Sequence, residues 1–168
     1  MANHFTKGGD YFVSATGGND SNAGTDPNAP MKTISAAITA AEGASSGYDL
    51  TIVIGTGVYK ERLVAGTTSD YLVIQGDGNV VVDASGLDSC IYQGNLWRYI
   101  DITFVNGVAL HAGLSGVWPN FTRCKFKNIT QLNLTNQTTN IQNVEAVFQD
   151  CVMVNCNNSN ATIYTRYI

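Results

Sequence analysis

The 168-residue sequence is poor in charged residues, which make up only 13% of it, about half of the usual share. It has 9 basic and 13 acidic residues and a formal net charge of -4, and no basic face is evident. Nucleic acid is therefore not expected as a partner. Hydrophobic residues account for 44% of the chain, enough for one domain with a sizeable core. The abundant Asn, Thr, Gly and Ser suit a surface of sheets and turns.

Long apolar runs are also missing. No stretch of about 18 apolar residues occurs, so no membrane insertion is expected. The first residues, MANHFTKGGDYF, contain no apolar segment of the kind found in signal peptides. A cytosolic protein, or one without its leader, would fit this feature, as would a protein released by lysis within a virion. We expect a virion or extracellular location without a signal peptide.

Cysteines are few, and their spacing matches no zinc site. The four are Cys90, Cys124, Cys151 and Cys156. Two of them, Cys124 and Cys151, fall at the same position of the repeat described below, where buried free thiols pack as small apolar groups. A disulfide is the alternative. No cofactor is expected.

One helix is predicted, over MKTISAAITAAEG. Thr33 is a suitable N-cap, and Gly43 is a suitable residue just after the helix. Four apolar residues recur at helical spacing and form one stripe. They are Ile34, Ala37, Ile38 and Ala41.

Three later segments, 99–107, 121–129 and 148–156, repeat one another. Superposing their asparagines gives spacings of 22 and 27 residues, the period range of a solenoid. We expect parallel strands at about 99–105, 122–127 and 149–154, stacked in register. Alternation along a strand then predicts which side chains point inward. They are Ile102 and Phe104, Cys124 and Phe126, and Cys151 and Met153.

Asn106, Asn128 and Asn155 keep the inward parity of these strands. They are predicted to form one internal row in which each side-chain amide donates to the next. Such a structural ladder satisfies polar groups that would otherwise be buried without partners.

Asp101, Arg123 and Asp150 occupy one outward position on three successive strands. Acid, base and acid alternate there, so we expect a row of surface ion pairs without adjacent like charges. Each exposed pair contributes only about 0.2–1 kcal/mol to stability.

The first half of the chain carries motifs in a recognisable order: YFVSATGGNDSNAGTDPNAPMKTISAAITAA, then LTIVIGTGVYKERLV, then YLVIQGDGNVVVDASG. This order resembles the N-terminal region of the pectate-lyase-like right-handed β-helix superfamily, found in phage tail spikes and polysaccharide lyases. Its members typically show an aromatic strand, a Gly-Asn-Asp-Ser loop, a Pro-x-Lys-Thr-Ile helix start and a Gly-Thr-Tyr turn, which is broken to GTGVY at 55–59 here. The resemblance implies an all-β fold, a right-handed single-stranded parallel β-helix (solenoid) with an N-terminal capping α-helix.

That fold divides the chain into three regions. Residues 1–10 are predicted to be a loose N-terminal tail, and 11–49 the first strand, a loop and the capping helix. Residues 50–168 are predicted to be parallel coils, which continue beyond Ile168 or are covered by a partner at their open end.

A calcium-like pattern, Asp-x-Asn-x-Gly, begins at Asp20 and includes Asn22, with Asp26 close by. Position 31, where an EF-hand needs an acid with two ligating oxygens, is Met31. These residues are therefore weak metal candidates, and no metal site is expected.

In the superfamily, catalysis rests on carboxylates with Arg or Lys on one outer face. A lyase needs a base and a hydrolase needs two carboxyl groups. Asp101, Arg123 and Asp150 are the catalytic candidates that the repeat brings together. Because they pair with one another, the acids should stay ionised and unsuited to acid catalysis.

Trp97, Trp118 and Tyr99 are candidates for stacking on sugar rings, since an aromatic ring presents an apolar face. Packing in the core or at the ends of the fold is the alternative interpretation and the one we favour.

The favoured function is a virion structural protein of tail-spike or fibre type, facing carbohydrate and recognising a host. The outward valines Val105, Val152 and Val154 favour a homo-oligomer, most simply a trimer. A glycan is the expected partner. The alternatives are a polysaccharide lyase or glycoside hydrolase of the same superfamily, and a non-catalytic surface protein that binds carbohydrate. We expect the chain by itself not to cleave polysaccharides.

Overall fold

A computed structural model describes residues 5–44, 49–64, 72–92, 97–112, 119–130, 147–156 and 164–165. Within these ranges the chain forms one helix, α1 (Ile34–Gly43), and twelve strands. The strands are β1 (Tyr11–Val13), β2 (Leu50–Tyr59), β3 (Leu63–Val64), β4 (Leu72–Asp83), β5 (Ser89–Tyr92), β6 (Arg98–Val105), β7 (Ala109–Ala112), β8 (Asn120–Thr122), β9 (Lys125–Lys127), β10 (Val147–Gln149), β11 (Val152–Val154) and β12 (Tyr164–Thr165).

Nine of these strands form one parallel sheet, in which β1, β2, β4 and β6 follow one another. The next two positions beyond β6 are each divided between two short strands: β8 and β9 both pair with β6, β10 pairs with β8, and β11 pairs with β9. β12 pairs with β10. A second parallel sheet has the order β3-β5-β7.

The predicted fold class, an all-β right-handed single-stranded parallel β-helix with a capping helix, is wrong. The described residues form a large parallel sheet, a small parallel sheet and a short helix, an arrangement closer to the α/β class. The sequence repeat identified parallel strands in register, and that pattern is common to every stacked parallel sheet. It does not specify how the chain returns from one strand to the next.

The helix begins as predicted, with Thr33 as N-cap and its hydroxyl accepting the amide N–H of Ala36. A second acceptor comes from outside the helix, since the Glu61 carboxylate accepts the N–H groups of Ile34 and Ser35, each at 2.9 Å. Two of the amides that a helix N-terminus leaves without partners are thereby satisfied. The apolar stripe is buried, and the helix contacts β1, β2 and β3.

The parallel strands predicted from the repeat are present in the expected register. Tyr99 lies beside Phe121, and Phe121 beside Phe148, with ring centroids 5.0 and 5.1 Å apart. Phe104 stacks on Phe126 at 5.6 Å. The repeat therefore builds two columns of aromatic rings in the core. The sequence predicted the column of Phe104 and Phe126, but not the column of Tyr99, Phe121 and Phe148.

Two rows of residues with left-handed backbone lie along the large sheet, one at bends in the strand direction and one directly after the strands. We call Asp101, Arg123 and Asp150 the charged corner; their φ angles are 56°, 52° and 53°. At Arg123 the sheet passes from β8 to β9, and at Asp150 from β10 to β11. The bend shifts the alternation by one residue, so both Tyr99 and Ile102 are buried.

The second row, which we call the amide corner, consists of Asn106, Asn128 and Asn155, with φ angles of 61°, 55° and 52°. All three side chains are exposed, so the predicted internal position of this row is wrong. Alternation places side chains only within extended backbone. A left-handed residue just after the strand turns its side chain away from the core, and Asn is among the few residues that tolerate this conformation.

Residues 5–10 are not the loose tail that the sequence predicted. The ring of Phe5 packs edge-on against Phe12, with centroids 5.0 Å apart. Thr6 donates its N–H and its hydroxyl to the Asp77 carboxylate. Lys7 Nζ lies 2.7 Å from the carbonyl oxygen of Gly76. This segment, the N-terminal arm, therefore crosses β2 to reach β4.

Across the described ranges, no helix is both long enough and apolar enough to cross a bilayer.

Candidate functional site

A cleft of about 210 Å³ opens on the outer face of the large sheet. Three adjacent strand positions contribute to it, those of β4, of β6 and of β8 with β9. Its lining residues are Gly78, Asn79, Val80, Asp101, Ile102, Thr103, Arg123 and Lys125. The charged corner thus supplies two of the lining side chains.

The cleft forms where β4 bulges away from β6. Gln75 pairs with Ile100 and Val80 with Ile102, so four residues of β4 lie opposite a single residue of β6, Asp101. A bulge of this kind bends its strand and interrupts the hydrogen-bond ladder. It leaves space on the outer face directly beside the Asp101 carboxylate.

Gly78 permits this bulge. Its φ is 97°, and a Cβ at this position would lie 2.2 Å from the Thr56 hydroxyl oxygen. The same hydroxyl accepts the N–H of Asn79 at 3.2 Å. Only glycine fits both the backbone and the space, so the shape of the cleft depends on this position.

Asp101 is held by cations on two sides. The guanidinium of Arg123 donates from Nε to Oδ1 at 2.7 Å and from Nη2 to Oδ2 at 3.0 Å. Lys7 of the N-terminal arm donates to Oδ2 at 2.8 Å. The Arg123 hydrogen bonds, helped by Lys7 and opposed by partial burial, lower the pKa of Asp101 to about 2. The carboxylate is therefore ionised at any physiological pH.

The third member of the charged corner, Asp150, is joined less closely. Hydrogen bonds to Asp101 raise the pKa of Arg123, and the charge of Asp150 adds to this effect. Within the described residues, Arg123 has an ion pair with Asp101 and none within 4.0 Å with Asp150. Asp101, Arg123 and Asp150 are thus neighbours along the charged corner. Among the described residues, the Arg123 side chain is hydrogen-bonded to Asp101 only.

Lys125 is the second basic residue that lines the cleft. It follows Arg123 by two positions, lies beside Thr103 in the register and is exposed. Among the described residues it makes no ion pair. Its ammonium group is therefore available to a ligand in the cleft. The position of Lys125 in the cleft depends on the β4 bulge, which was not predicted from the sequence.

The amide corner forms a continuous hydrogen-bonded row on the surface. Asn155 Nδ2 donates to Asn128 Oδ1 at 3.4 Å, and Asn128 Nδ2 donates to Asn106 Oδ1 at 3.2 Å. Asn106 in turn donates to the Asp83 carboxylate at 3.0 Å. Hydrogen bonds from Ser85 and Asn106 lower the pKa of Asp83. Each side-chain amide of this row donates a hydrogen bond to a neighbouring side chain, so we assign the row a structural role.

The two aromatic candidates that the structure describes, Trp97 and Tyr99, do not line the cleft. Trp97 and Tyr99 are fully buried, with their ring centroids 6.3 Å apart. Trp118 lies outside the described residues. The two described rings belong to the core and cannot stack on a sugar at the surface.

The calcium-like loop satisfies its own side chains. Asp20 Oδ1 accepts the N–H groups of Lys32 and Thr33 at 2.8 Å each. The Asn22 amide donates to a backbone carbonyl, and the Asp26 carboxylate accepts the N–H of Asn28. These contacts hold the loop against the start of α1. In the part of the chain that the structure describes, no cluster of three or more His, Cys, Asp or Glu residues could hold a metal ion.

No protein-family model matches the sequence. No curated protein matches it either. Among solved structures, the chain is similar to the GH136 lacto-N-biosidase from Eubacterium ramulus, with a TM-score of 0.52 and 15% sequence identity. The similarity covers 86% of this chain and 30% of that enzyme. At this identity the likeness concerns the fold alone.

Proposed function

We propose that this chain binds glycans in the outer-face cleft and does not cleave them. The observation that carries the proposal is the composition of the cleft, in which an ionised carboxylate lies in one polar depression with an ammonium group that has no ion pair among the described residues. Sugar hydroxyls both donate and accept hydrogen bonds, so they bind best where strong acceptors and strong donors are close together.

The lining supplies both kinds of group. Asp101 is an acceptor with a fixed position, because Arg123 holds both of its oxygens. Lys125 supplies a charged donor, and Asn79 and Thr103 add uncharged polar groups beside them. The structure with a similar fold is named as a lacto-N-biosidase, an association with carbohydrate that also supports the proposal.

The proposal of binding without cleavage rests on the state of Asp101. A glycoside hydrolase needs two carboxyl groups, one of them protonated so that it can act as a general acid. Among the described lining residues Asp101 is the carboxyl group present, and its pKa is about 2. It cannot donate a proton near neutral pH.

Calorimetric titration with a panel of neutral and acidic polysaccharides, polygalacturonate among them, tests the proposal. Lys125→Gln should weaken binding about tenfold, the usual effect of losing one hydrogen bond from a charged group. Lys127→Gln is the matched control, because Lys127 is also exposed on β9 but does not line the cleft.

If Lys125→Gln and Lys127→Gln weaken binding equally, the cleft is not the glycan-binding site. Assays for new reducing or unsaturated ends should stay negative in the same samples. Turnover that Asp101→Asn abolishes would replace the binding function with a polysaccharide-degrading one.

The setting that we propose is a virion tail spike or fibre, in which glycan binding would serve host recognition. Val152 and Val154 on β11 are 51% and 45% exposed, and such a pair of apolar side chains favours a neighbouring subunit. Sedimentation equilibrium should give a trimer. Val152→Lys should shift it toward the monomer, and a monomeric wild-type chain would contradict this setting.

A further inference from the structure

Two cysteines lie side by side on the core-facing side of the large sheet. Val152 pairs with Lys125, and its N–H donates to the carbonyl oxygen of Cys124 at 3.0 Å. One step earlier in the same register, Cys151 is the neighbour of Cys124. Adjacent strands of a sheet are about 4.8 Å apart, which falls within the range of Cα separations found in disulfides.

The two sulfur atoms have equivalent surroundings. Cys124 Sγ lies 3.4 Å from the carbonyl oxygen of Tyr99, and Cys151 Sγ lies 3.4 Å from that of Phe121, one strand further on. Each contact therefore places its sulfur on the same side of the sheet. Cys124 is fully buried, whereas Cys151 is partly exposed, and both thiols are free.

We propose that Cys124 and Cys151 are a redox-sensitive pair that forms a reversible disulfide between neighbouring strands when a small-molecule disulfide is the oxidant. The partly exposed Cys151 reacts first: its thiolate attacks one sulfur of the oxidant, forms a mixed disulfide and releases one thiolate. Cys124 then loses its proton to solvent and attacks Cys151 Sγ, expelling the second thiolate. Two protein thiols are oxidised, and one small disulfide is reduced to two thiols.

The order of attack agrees with the electrostatics of the pair. The interaction of the two neighbouring thiols lowers the pKa of Cys151 and raises that of Cys124, and burial raises the pKa of Cys124 further. The thiolate is the nucleophile in disulfide exchange, so the accessible member of the pair is also the one more readily ionised.

The bond should be easy to reduce. Neighbouring residues on parallel strands keep their Cβ atoms about as far apart as the strands, roughly 4.8 Å, whereas disulfides prefer about 3.5–4.5 Å. The mismatch strains the bond, and strained disulfides have more oxidising potentials. Oxidising surroundings would join β8 and β9 covalently to β10 and β11, and a thiol reductant would release them.

The test uses the full chain with Cys90→Ser and Cys156→Ser, which leaves only the proposed pair. After treatment with oxidised glutathione under native conditions, intact mass should fall by two hydrogen atoms, with no glutathione retained. Dithiothreitol should restore both alkylatable thiols. Adding Cys124→Ser should stop the reaction at a glutathione adduct on Cys151, whereas adding Cys151→Ser instead should give almost no adduct.

Two results would overturn the proposal. One is a folded pair-only variant that keeps two alkylatable thiols after oxidation. The other is a stable adduct with two glutathiones, because each cysteine would then react without reaching its neighbour. Circular dichroism of each variant verifies that the chain is folded before the oxidant is added.

Discussion

The charged corner and the amide corner have the same backbone geometry and opposite chemistry. Both place three left-handed residues, with φ between 52° and 61°, on successive positions of one sheet. A carboxamide is donor and acceptor at once, so identical residues can hydrogen-bond along the row. A carboxylate or a guanidinium cannot do this, so the charged corner alternates in sign and recruits Lys7 from the N-terminal arm. The amide corner is hydrogen-bonded from residue to residue and ends on Asp83, whereas the charged corner leaves charged groups beside an open cleft.

The largest effect should come from the core between the two corners. Phe126 is fully buried and stacks on Phe104, so Phe126→Ala should lower the free energy of unfolding by about 3–5 kcal/mol. Urea denaturation measures this. A cost below that of either corner variant described next would contradict the assignment of inside and outside.

Asn128→Ala should cost about 1–2 kcal/mol, because it breaks two amide contacts and places a Cβ without a compensating polar group in left-handed backbone. Asn128→Gly loses the same contacts but not the backbone preference, so it should cost about half as much. Denaturant melts of the two variants separate the loss of the amide hydrogen bonds from the cost of the left-handed backbone. Equal losses would mean that the conformation of this corner contributes nothing.

Asp101→Asn should cost about 1 kcal/mol at pH 7, in the range of partly exposed ion pairs. The folded-state pKa of about 2 is below the ordinary value of 3.8. The stabilisation is therefore present above about pH 4 and is lost as the pH falls through 2. Melting temperatures of wild type and variant should converge between these two pH values. Curves that stay parallel down to pH 2 would show that Asp101 is not the group responsible.

The smallest effect should come from Arg123→Ala, below about 1 kcal/mol, since the arginine is exposed and Lys7 still neutralises Asp101. Arg123→Gly should be more stable than Arg123→Ala, because glycine adopts the left-handed φ of 52° without strain. Thermal melts of the two variants compare the loss of the ion pair with the relief of backbone strain. A loss at Arg123 larger than that of Asn128→Ala would reverse the comparison of the two corners.

The sequence was most informative where a local rule decides the structure. Thr33 followed by an apolar stripe identified the helix and its N-cap, and the shared parity of Phe104 and Phe126 identified their stacking. It failed at Asn106, because alternation was extended one residue past the end of the strand. It also failed for the fold class, since a register of parallel strands does not define the path of the chain between them.

The cleft itself was beyond sequence reasoning. The repeat placed Asp101 beside Arg123, since residues at equal positions on adjacent strands must be neighbours. It could not show that the bulge around Gly78 opens space there, or that Lys7, distant in sequence, reaches the same carboxylate. Local composition and periodicity determined the strands, the helix and the two rows of this protein. Only the tertiary structure decided which groups meet at the surface, because those contacts join segments whose separation along the chain carries no periodic signal.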